Sequence, residues 1–290
     1  MNLAEEKPLN LADAIRTFIR KAGTAVHIRQ LYAEFPEAHE HSIRGRIYEN
    51  LGRDFRRVGR GLYVAISGDA ACVVVHGDAL EEVRKLDTES VDALITDPPY
   101  PWLDCFREHP TTSWQRMRAE FDRREIDQDL GMELYRVLRE GAHAFVFVPA
   151  ETGITRAPIN AMIDRLEKCG FVFRKRFIWD KVSPGMGYSG RARHEGILFL
   201  TRGRRKRKPC DLSVSDVLTS RMIGPRRRRH PNEKPEALLE KLVRFATNVG
   251  ETVLDVFAGS LSTGRAALAA GRNAILIEKS ELHLENALTS

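Results

Sequence analysis

The first sixty-six residues carry apolar side chains at the spacing of amphipathic helices. Apolar positions recur every three or four residues from 11 to 19, again from 28 to 35, and a third time from 43 to 51. Two short apolar runs follow, FRRV and LYVAI, and a Gly-Arg-Gly sequence with the chemistry of a turn separates them. The pattern predicts three helices followed by a β-hairpin.

Three helices and a basic hairpin are typical of a winged helix-turn-helix domain, which we expect over residues 1–66. Arginines are concentrated in the third predicted helix and in the hairpin. Four of them are candidates for contacts with nucleic-acid phosphates: Arg44, Arg46, Arg57 and Arg60. The alternative is a module for protein interaction or dimerisation, a purpose that winged helices also serve.

The pattern changes at residue 72, where short apolar runs of strand type begin to alternate with helical stretches. Seven runs are candidate strands: CVVVH, VDALITD, HAFVFV, FVFRKRFIW, GILFL, TVLDVF and NAILIE. Buried runs separated by helices predict an α/β fold, with a seven-stranded, mostly parallel, Rossmann-like sheet covered on both faces. We expect this domain over residues 67–290, with ligands at the carboxyl ends of its strands.

One predicted strand ends in a sequence with catalytic potential, Asp97-Pro98-Pro99-Tyr100. The prolines fix the backbone and remove two N–H donors. The Asp97 carboxylate and the Pro98 carbonyl can accept the hydrogens of an exocyclic amine, which frees the nitrogen lone pair for in-line attack on a methyl sulfonium. Tyr100 can stack on a base that has been flipped out of the helix. An ordinary turn after a strand is the alternative interpretation.

A second motif, over residues 252–279, has the order strand, glycine turn, helix, strand and acid. Phe257 and Gly259 would form the turn, and Ser262 or Thr263 would begin the helix. Glu278, at the end of the second strand, could accept hydrogen bonds from both ribose hydroxyls of a cofactor. A nucleotide-binding unit for NAD is the alternative, but the first turn lacks the G-x-G-x-x-G pattern of such units.

The order and spacing of these motifs resemble the β class of amino methyltransferases, in which the catalytic tetrapeptide precedes the cofactor-binding turn. The resemblance covers about residues 72–285. It includes three further motifs: Gly77-Asp78, His194-Glu195, and His230-Pro231-Asn232-Glu233-Lys234-Pro235. It implies methyltransferase activity with S-adenosylmethionine as the cofactor.

The resemblance also implies roles for individual residues. Asp78 would meet the adenine of the cofactor, Asp255 its methionyl amine, Lys234 its carboxylate region and Glu278 its ribose. The remaining cofactor candidates lie in the turn and at the start of the helix after it: Phe257, Gly259, Ser260 and Thr263. Asp78 could instead be a helix N-cap, and Lys234 a surface lysine.

The turn departs from the family pattern D-P-F-x-G-S-G-T at two positions. Val256 replaces the proline, and Leu261 replaces the second glycine. A side chain at position 261 could weaken cofactor binding, or it could point into the core.

The positive charge of the chain is concentrated between positions 202 and 229, where eleven Lys and Arg stand against two acids. We expect this segment to contact phosphates, through candidates that include Arg204, Arg205, Arg226, Arg227, Arg228 and Arg229. The four cysteines are scattered without zinc-ligand spacing, so we expect no metal. Without a membrane-length apolar stretch or a signal peptide, a cytoplasmic protein is expected, with DNA as its partner and a homodimer as an option.

Together these features predict a DNA methyltransferase that modifies the N6 amino group of adenine. Adenine is preferred over cytosine-N4, the first alternative, because in this family the cytosine enzymes more often carry Ser in place of Asp97. RNA adenine methylation and a catalytically weak DNA-binding regulator are further alternatives. The short basic segment offers many phosphate contacts and few base contacts, which predicts a short or relaxed recognition sequence.

Overall fold

The computed structural model describes residues 11–22, 26–49, 55–59, 62–65, 70–100, 125–185, 190–224, 228 and 232–288. The N-terminal elements are α1 (Leu11–Ala22), β1 (Val26–His27), α2 (Ile28–Glu34), α3 (Glu40–Glu49), β2 (Phe55–Gly59) and β3 (Leu62–Ala65). The following elements are β4 (Cys72–His76), α4 (Ala79–Arg84), β5 (Val91–Thr96), α5 (Gln128–Val137), β6 (Leu138–Val148), α6 (Arg156–Lys168), β7 (Phe171–Asp180) and β8 (His194–Arg202). The last are β9 (Val217–Thr219), α7 (Glu236–Ala246), β10 (Thr252–Asp255), α8 (Ser262–Ala269), β11 (Asn273–Glu278) and α9 (Glu281–Leu288). Over the ranges described, no helix combines the length and the apolar character needed to cross a membrane.

The three helices and the hairpin predicted for the N-terminal region are present. β2 and β3 pair antiparallel, and the two-residue β1 adds to β3, giving the strand order β1-β3-β2. The helices bury the apolar positions that defined the pattern, because Ile15, Leu31, Ile43 and Ile47 are all fully buried. This region therefore has a hydrophobic core of its own.

The larger sheet has the strand order β4-β11-β10-β5-β6-β8-β7-β9. Its pairs are parallel apart from those of β8, which runs antiparallel to both β6 and β7. All seven predicted strands are present, but the prediction of seven was wrong by one. The eighth strand, β9, has three residues and a single buried side chain, Leu218, which is too little to produce a recognisable pattern.

Helices cover both faces of this sheet. Successive residues of one strand face opposite sides, so Leu94 of β5 packs with α4, α5 and α6, whereas Ala93 and Ile95 pack on the side of α7 and α8. In β6, Phe145 and Phe147 face α7 in the same way. Both faces are buried, and for this reason the strands appear as continuous apolar runs in the sequence.

Candidate active site

Acidic side chains line the edge at which the parallel strands end. Asp78 follows β4, Glu278 ends β11, Asp255 ends β10 and Asp97 follows β5, and these four strands are neighbours in that order. Because β8 is antiparallel, its first residues lie at the same edge, and this adds Glu195. The sheet thus brings into one row acids that the sequence spreads over most of the chain. We call this side the catalytic edge.

The Asp97 carboxylate is fixed by the tyrosine of its own tetrapeptide. The Tyr100 hydroxyl oxygen lies 2.6 Å from Oδ1 of Asp97 and 2.8 Å from the carbonyl oxygen of Phe147. Burial, followed by the nearby Asp97 charge, raises the pKa of Tyr100 well above its usual value. The hydroxyl therefore stays protonated and acts as a hydrogen-bond donor. Pro98 is buried and Pro99 half-buried. The tetrapeptide therefore forms a stiff turn with its acid held in place.

Lys234 binds the other oxygen of this carboxylate. Its Nζ lies 2.5 Å from Oδ2 of Asp97 and 3.5 Å from Oε2 of Glu195. The ring centroids of Phe147 and Trp179 lie 5.2 and 5.9 Å from the same nitrogen. Burial acts to lower the pKa of Lys234, but the two carboxylates outweigh it and the net shift is upward. The sequence suggested a contact with the cofactor carboxylate, whereas the structure pairs Lys234 with Asp97.

Asp255 is buried at the start of the predicted cofactor turn. Its Oδ1 accepts hydrogen bonds from the Thr96 hydroxyl at 2.8 Å and the Phe257 N–H at 3.1 Å, and its Oδ2 accepts one from the Thr263 hydroxyl at 2.6 Å. Burial nevertheless raises the pKa of Asp255 to about 6. A cationic group placed beside this carboxyl would favour its ionised form.

Glu278 closes the turn from the neighbouring strand. Its Oε2 accepts the Gly259 N–H at 2.7 Å, its Oε1 accepts the Ser280 N–H at 2.8 Å, and His283 Nδ1 lies 3.5 Å away. Burial acts to raise the pKa of Glu278, but the hydrogen bonds from these three neighbours bring it below its usual value. The group is a carboxylate, and Oε2 has capacity for a further hydrogen bond.

Leu261 adopts a left-handed conformation, with φ 61° and ψ 19°, at the start of α8. Glycine favours this region of backbone space, and the family pattern has glycine here. The Leu261 side chain is 5% exposed and packs in a cluster with Ala258 and Leu276. Beside it, the Ser260 and Ser262 hydroxyls form a hydrogen bond of 3.3 Å. The sequence left open whether this side chain lies near the cofactor or points into the core. In the structure it points into the core.

Asp78 is the N-cap of α4, as one interpretation of the sequence suggested. Its Oδ1 accepts the N–H groups of Leu80 and Glu81 at 3.0 and 3.4 Å, and its Oδ2 lies 3.4 Å from Lys279 Nζ. The N–H of the preceding residue donates to the carbonyl oxygen of Glu278, so Asp78 lies beside the end of β11. A contact with the cofactor adenine stays a prediction.

The structure divides the basic segment 202–229 between two edges of the sheet. β8 leads away from the catalytic edge over about 26 Å, and it ends at Arg202, which pairs with Glu89 and Glu140. The exposed Arg204 and Arg205 follow directly. They lie at the edge opposite Asp97, and the structure does not bring them together with the catalytic residues.

The second half of the segment returns to the catalytic edge through β9. The indole N–H of Trp179 donates to the carbonyl oxygen of Ser220 at 2.8 Å, and Arg228 Nε donates to that of Ile223 at 2.6 Å. Lys234 follows within a few residues. Arg226, Arg227 and Arg229 lie outside the described residues. Phosphate contacts by this half stay a prediction that its location at the catalytic edge favours.

The N-terminal arginine candidates have protein partners. Arg44 Nε lies 2.5 Å from the Tyr32 hydroxyl, and Arg46 pairs with Glu49 at 2.6 Å. The backbone of Arg57 pairs with β3, and Arg60 lies outside the described residues. Arg44 and Arg46 remain more than half exposed, so their contact with phosphates stays a prediction.

Three residues to which the sequence pattern gave no role lie around the acids in the structure. Thr96 binds Asp255, and Glu195 and Lys181 form an ion pair behind Lys234. The His194-Glu195 motif pointed to Glu195, but the sequence did not show that Glu195 lies beside Lys181 and Lys234. Within the ranges described, no group of three or more His, Cys, Asp and Glu is placed to hold a metal ion.

Comparison with known proteins agrees with this geometry. The profile of the N6/N4 family, described as DNA methylase, matches residues 91–289. The chain is 27% identical to DNA adenine methyltransferase YhdJ of Escherichia coli K12 over 73% of this chain and 79% of the relative. The fold is that of the M1.HpyAVI–SAM complex (TM-score 0.55, 23% identity, 75% of this chain and 98% of that one). It is also that of the cytosine-N4-specific PvuII DNA methyltransferase (TM-score 0.57, 16% identity, 77% and 86%). Since the family profile matches more than half of its residues, the chain belongs to the N6/N4 DNA methylase family.

Proposed function

We propose that the chain transfers a methyl group from S-adenosylmethionine to the N6 amino group of adenine in DNA. The observation that carries the proposal is the Asp97 carboxylate, which Tyr100 and Lys234 hold at the end of β5, next to the turn after β10. By the resemblance, cytosine-N4 enzymes more often carry Ser at this position. The sequence relative named as a DNA adenine methyltransferase supports the same choice.

The residues at the ends of β11 and β10 fit S-adenosylmethionine. Oε2 of Glu278 accepts only the Gly259 N–H and so keeps a lone pair for a ribose hydroxyl. Asp255 offers a buried carboxyl whose ionised form a methionyl ammonium would favour. Asp78 lies beside Glu278, where the adenine of the cofactor would continue. When bound, the cofactor supplies the electrophilic methyl group.

The residues of the tetrapeptide act on the base. Asp97 accepts one hydrogen of the target amine and the Pro98 carbonyl accepts the other, so the nitrogen lone pair is directed towards the methyl group. Tyr100 is fixed by its hydroxyl, which leaves its ring to stack on the flipped base. The chain thereby orients the amine, and the reaction needs no covalent bond to the protein.

Cytosine-N4 is the second candidate substrate. The family includes both activities, and the PvuII enzyme with the same fold is specific for cytosine-N4. The two substrates present the same chemical group, an aromatic exocyclic amine. Adenine is the larger base, so the volume of the base pocket decides between them.

Nucleoside analysis separates these functions. The protein is incubated with methyl-labelled S-adenosylmethionine and unmethylated DNA or RNA, and the product is digested and separated by chromatography. We expect label in N6-methyladenine from DNA. Label in N4-methylcytosine, or label from RNA alone, would contradict the assignment.

The Asp97→Ala variant tests the catalytic role in the same assay. We expect it to abolish transfer while cofactor and DNA binding stay nearly intact, because Asp97 acts on the amine. Asp164→Ala is the control: this acid is exposed on α6, outside the catalytic edge and the basic segment, and its loss should leave the rate unchanged. Turnover of Asp97→Ala within tenfold of wild type would refute the role.

The N-terminal region and the half of the basic segment beyond β9 would bind the duplex. The N-terminal region has the helix and strand order that a winged helix requires. β9 leads the second half of the basic segment to the catalytic edge. We expect a short or relaxed recognition sequence, on the expectation that the arginines at this edge contact phosphates rather than bases. Sequencing of modified bases in DNA from a host that expresses the protein would test this, and one long, fully specified site would contradict it.

A further inference from the structure

Asp97 already has two hydrogen-bond donors before any base arrives. Tyr100 occupies Oδ1 at 2.6 Å, and the Lys234 ammonium occupies Oδ2 at 2.5 Å. The proposed reaction requires the same carboxylate to accept a hydrogen from the target amine. Each carboxylate oxygen has about two acceptor sites, so the amine can enter on Oδ2 beside the ammonium and share its negative charge. Charge-assisted hydrogen bonds are about twice as strong as neutral ones, so the amine is held better where the ammonium loosens its bond to Asp97.

A second carboxylate lies within reach of Lys234. Oε2 of Glu195 is 3.5 Å from Nζ of Lys234, while Oε1 of Glu195 is 3.2 Å from Nζ of Lys181. Lys181 thus anchors one oxygen and leaves the other facing Lys234. Burial acts to raise the pKa of Glu195, but the two lysines outweigh it and lower the pKa below its usual value. Glu195 is therefore ionised at neutral pH.

The other described groups around the ammonium cannot replace Asp97. The rings of Phe147 and Trp179, at 5.2 and 5.9 Å, attract a cation but do not neutralise it. Lys234 is 8% exposed, so an ammonium that left Asp97 without a second anion would be buried and uncompensated. Glu195 removes this penalty.

We propose that Glu195 is a positioning residue that takes the Lys234 ammonium when the target amine engages Asp97. The hydrogen bond from Nζ passes from Oδ2 of Asp97 to Oε2 of Glu195, and Lys234 stays protonated throughout. The inference rests on the proposed function, since a base amine must reach Asp97. It holds for adenine-N6 and cytosine-N4 alike.

The Glu195→Gln variant tests the exchange. It keeps the shape of the side chain but removes the charge that receives Lys234. We expect kcat for total methyl transfer to fall by about tenfold or more, with the KM for S-adenosylmethionine within about twofold of wild type. The matched control is Glu251→Gln, because Glu251 is similarly buried and pairs with Arg207 at 2.7 Å, at the opposite edge. Its kcat should stay within about twofold of wild type.

The pH profile of kcat distinguishes this role from a structural one. Among the residues that the structure describes, the charged groups that face Lys234 are Asp97 and Glu195, with Lys181 behind them. Glu195 is one of the groups that raise the pKa of Lys234, so loss of its charge should move the alkaline limb of the profile to lower pH. The Glu195→Asp variant keeps the charge, and it should restore the limb and part of the rate.

Three results would overturn the proposal. The first is a folded Glu195→Gln variant with kcat within twofold of wild type. The second is an equal loss of rate in the Gln and Asp variants with an unmoved alkaline limb, which a structural role alone would give. If the Gln variant does not fold, the Glu195→Ala variant decides, and a folded Ala variant with a wild-type rate is the third. A cytosine product would contradict the adenine assignment while leaving these rate comparisons valid.

Discussion

Leu261 is a position at which two opposing effects can be separated by substitution. Its φ of 61° lies in the left-handed region, which costs an L-residue roughly 1–2 kcal/mol relative to its usual conformations. Its side chain is 5% exposed and packs against Ala258 and Leu276. Replacement by glycine removes the strain and the packing together, whereas replacement by alanine removes only the packing.

The magnitudes predict an unusual order of stability. Removal of a buried leucine side chain costs about 2–5 kcal/mol, which exceeds the strain, so both variants of Leu261 should be less stable than wild type. Glycine recovers the strain but loses about 0.4–1 kcal/mol because its unfolded chain is more flexible. The difference runs from about 0 to 1.6 kcal/mol, and we therefore expect Leu261→Gly to be more stable than Leu261→Ala by roughly 0.8 kcal/mol, the middle of that range.

Urea unfolding of the two variants measures this difference. Leu268, exposed in the same helix, is the matched control, and there alanine should be more stable than glycine by about 1 kcal/mol. Since the Leu261 side chain lies in the core, calorimetry should find S-adenosylmethionine affinity in the folded Leu261→Gly variant within about threefold of wild type. The reasoning fails if alanine is the more stable residue at 261, or if glycine tightens cofactor binding by tenfold.

Three further predictions concern the cofactor and DNA. Glu278→Gln should weaken S-adenosylmethionine binding by about 1–3 kcal/mol in calorimetry, because a charge-assisted acceptor is lost, and an unchanged affinity would remove Glu278 from the site. The pKa of Asp255, raised to about 6 by burial, means that this group is neutral below pH 6 and ionised above it, so cofactor affinity should rise with pH through about 6. Asp255→Asn should abolish that dependence. Neutralising Arg204 and Arg205 should leave the salt dependence of binding to a short duplex unchanged, because they lie opposite the catalytic edge. If the slope of log K against log salt concentration became shallower by about one or more, DNA would reach these arginines.

The sequence determined the secondary structure and the motifs with catalytic potential. The helices of the N-terminal region and seven strands of the large sheet lie where the apolar spacing placed them, because that spacing records which side of an element is buried. The tetrapeptide at Asp97 and the turn ending at Glu278 were recognisable for a related reason. Each is a local segment in which neighbouring residues in the chain are also neighbours in space.

Only the tertiary structure decided which distant residues meet. Asp97, Glu195 and Lys234 come together because three separate segments reach one edge of the sheet, and no local pattern records that meeting. The antiparallel direction of β8 likewise sent Arg204 and Arg205 away from Asp97, although all are part of the same domain. Packing also decided the backbone conformation at Leu261. This left-handed conformation favours glycine, but burial of the leucine side chain offsets its strain. Short-range periodicity specifies elements, whereas the contacts between charged groups depend on strand order and direction, which are fixed only when the sheet is assembled.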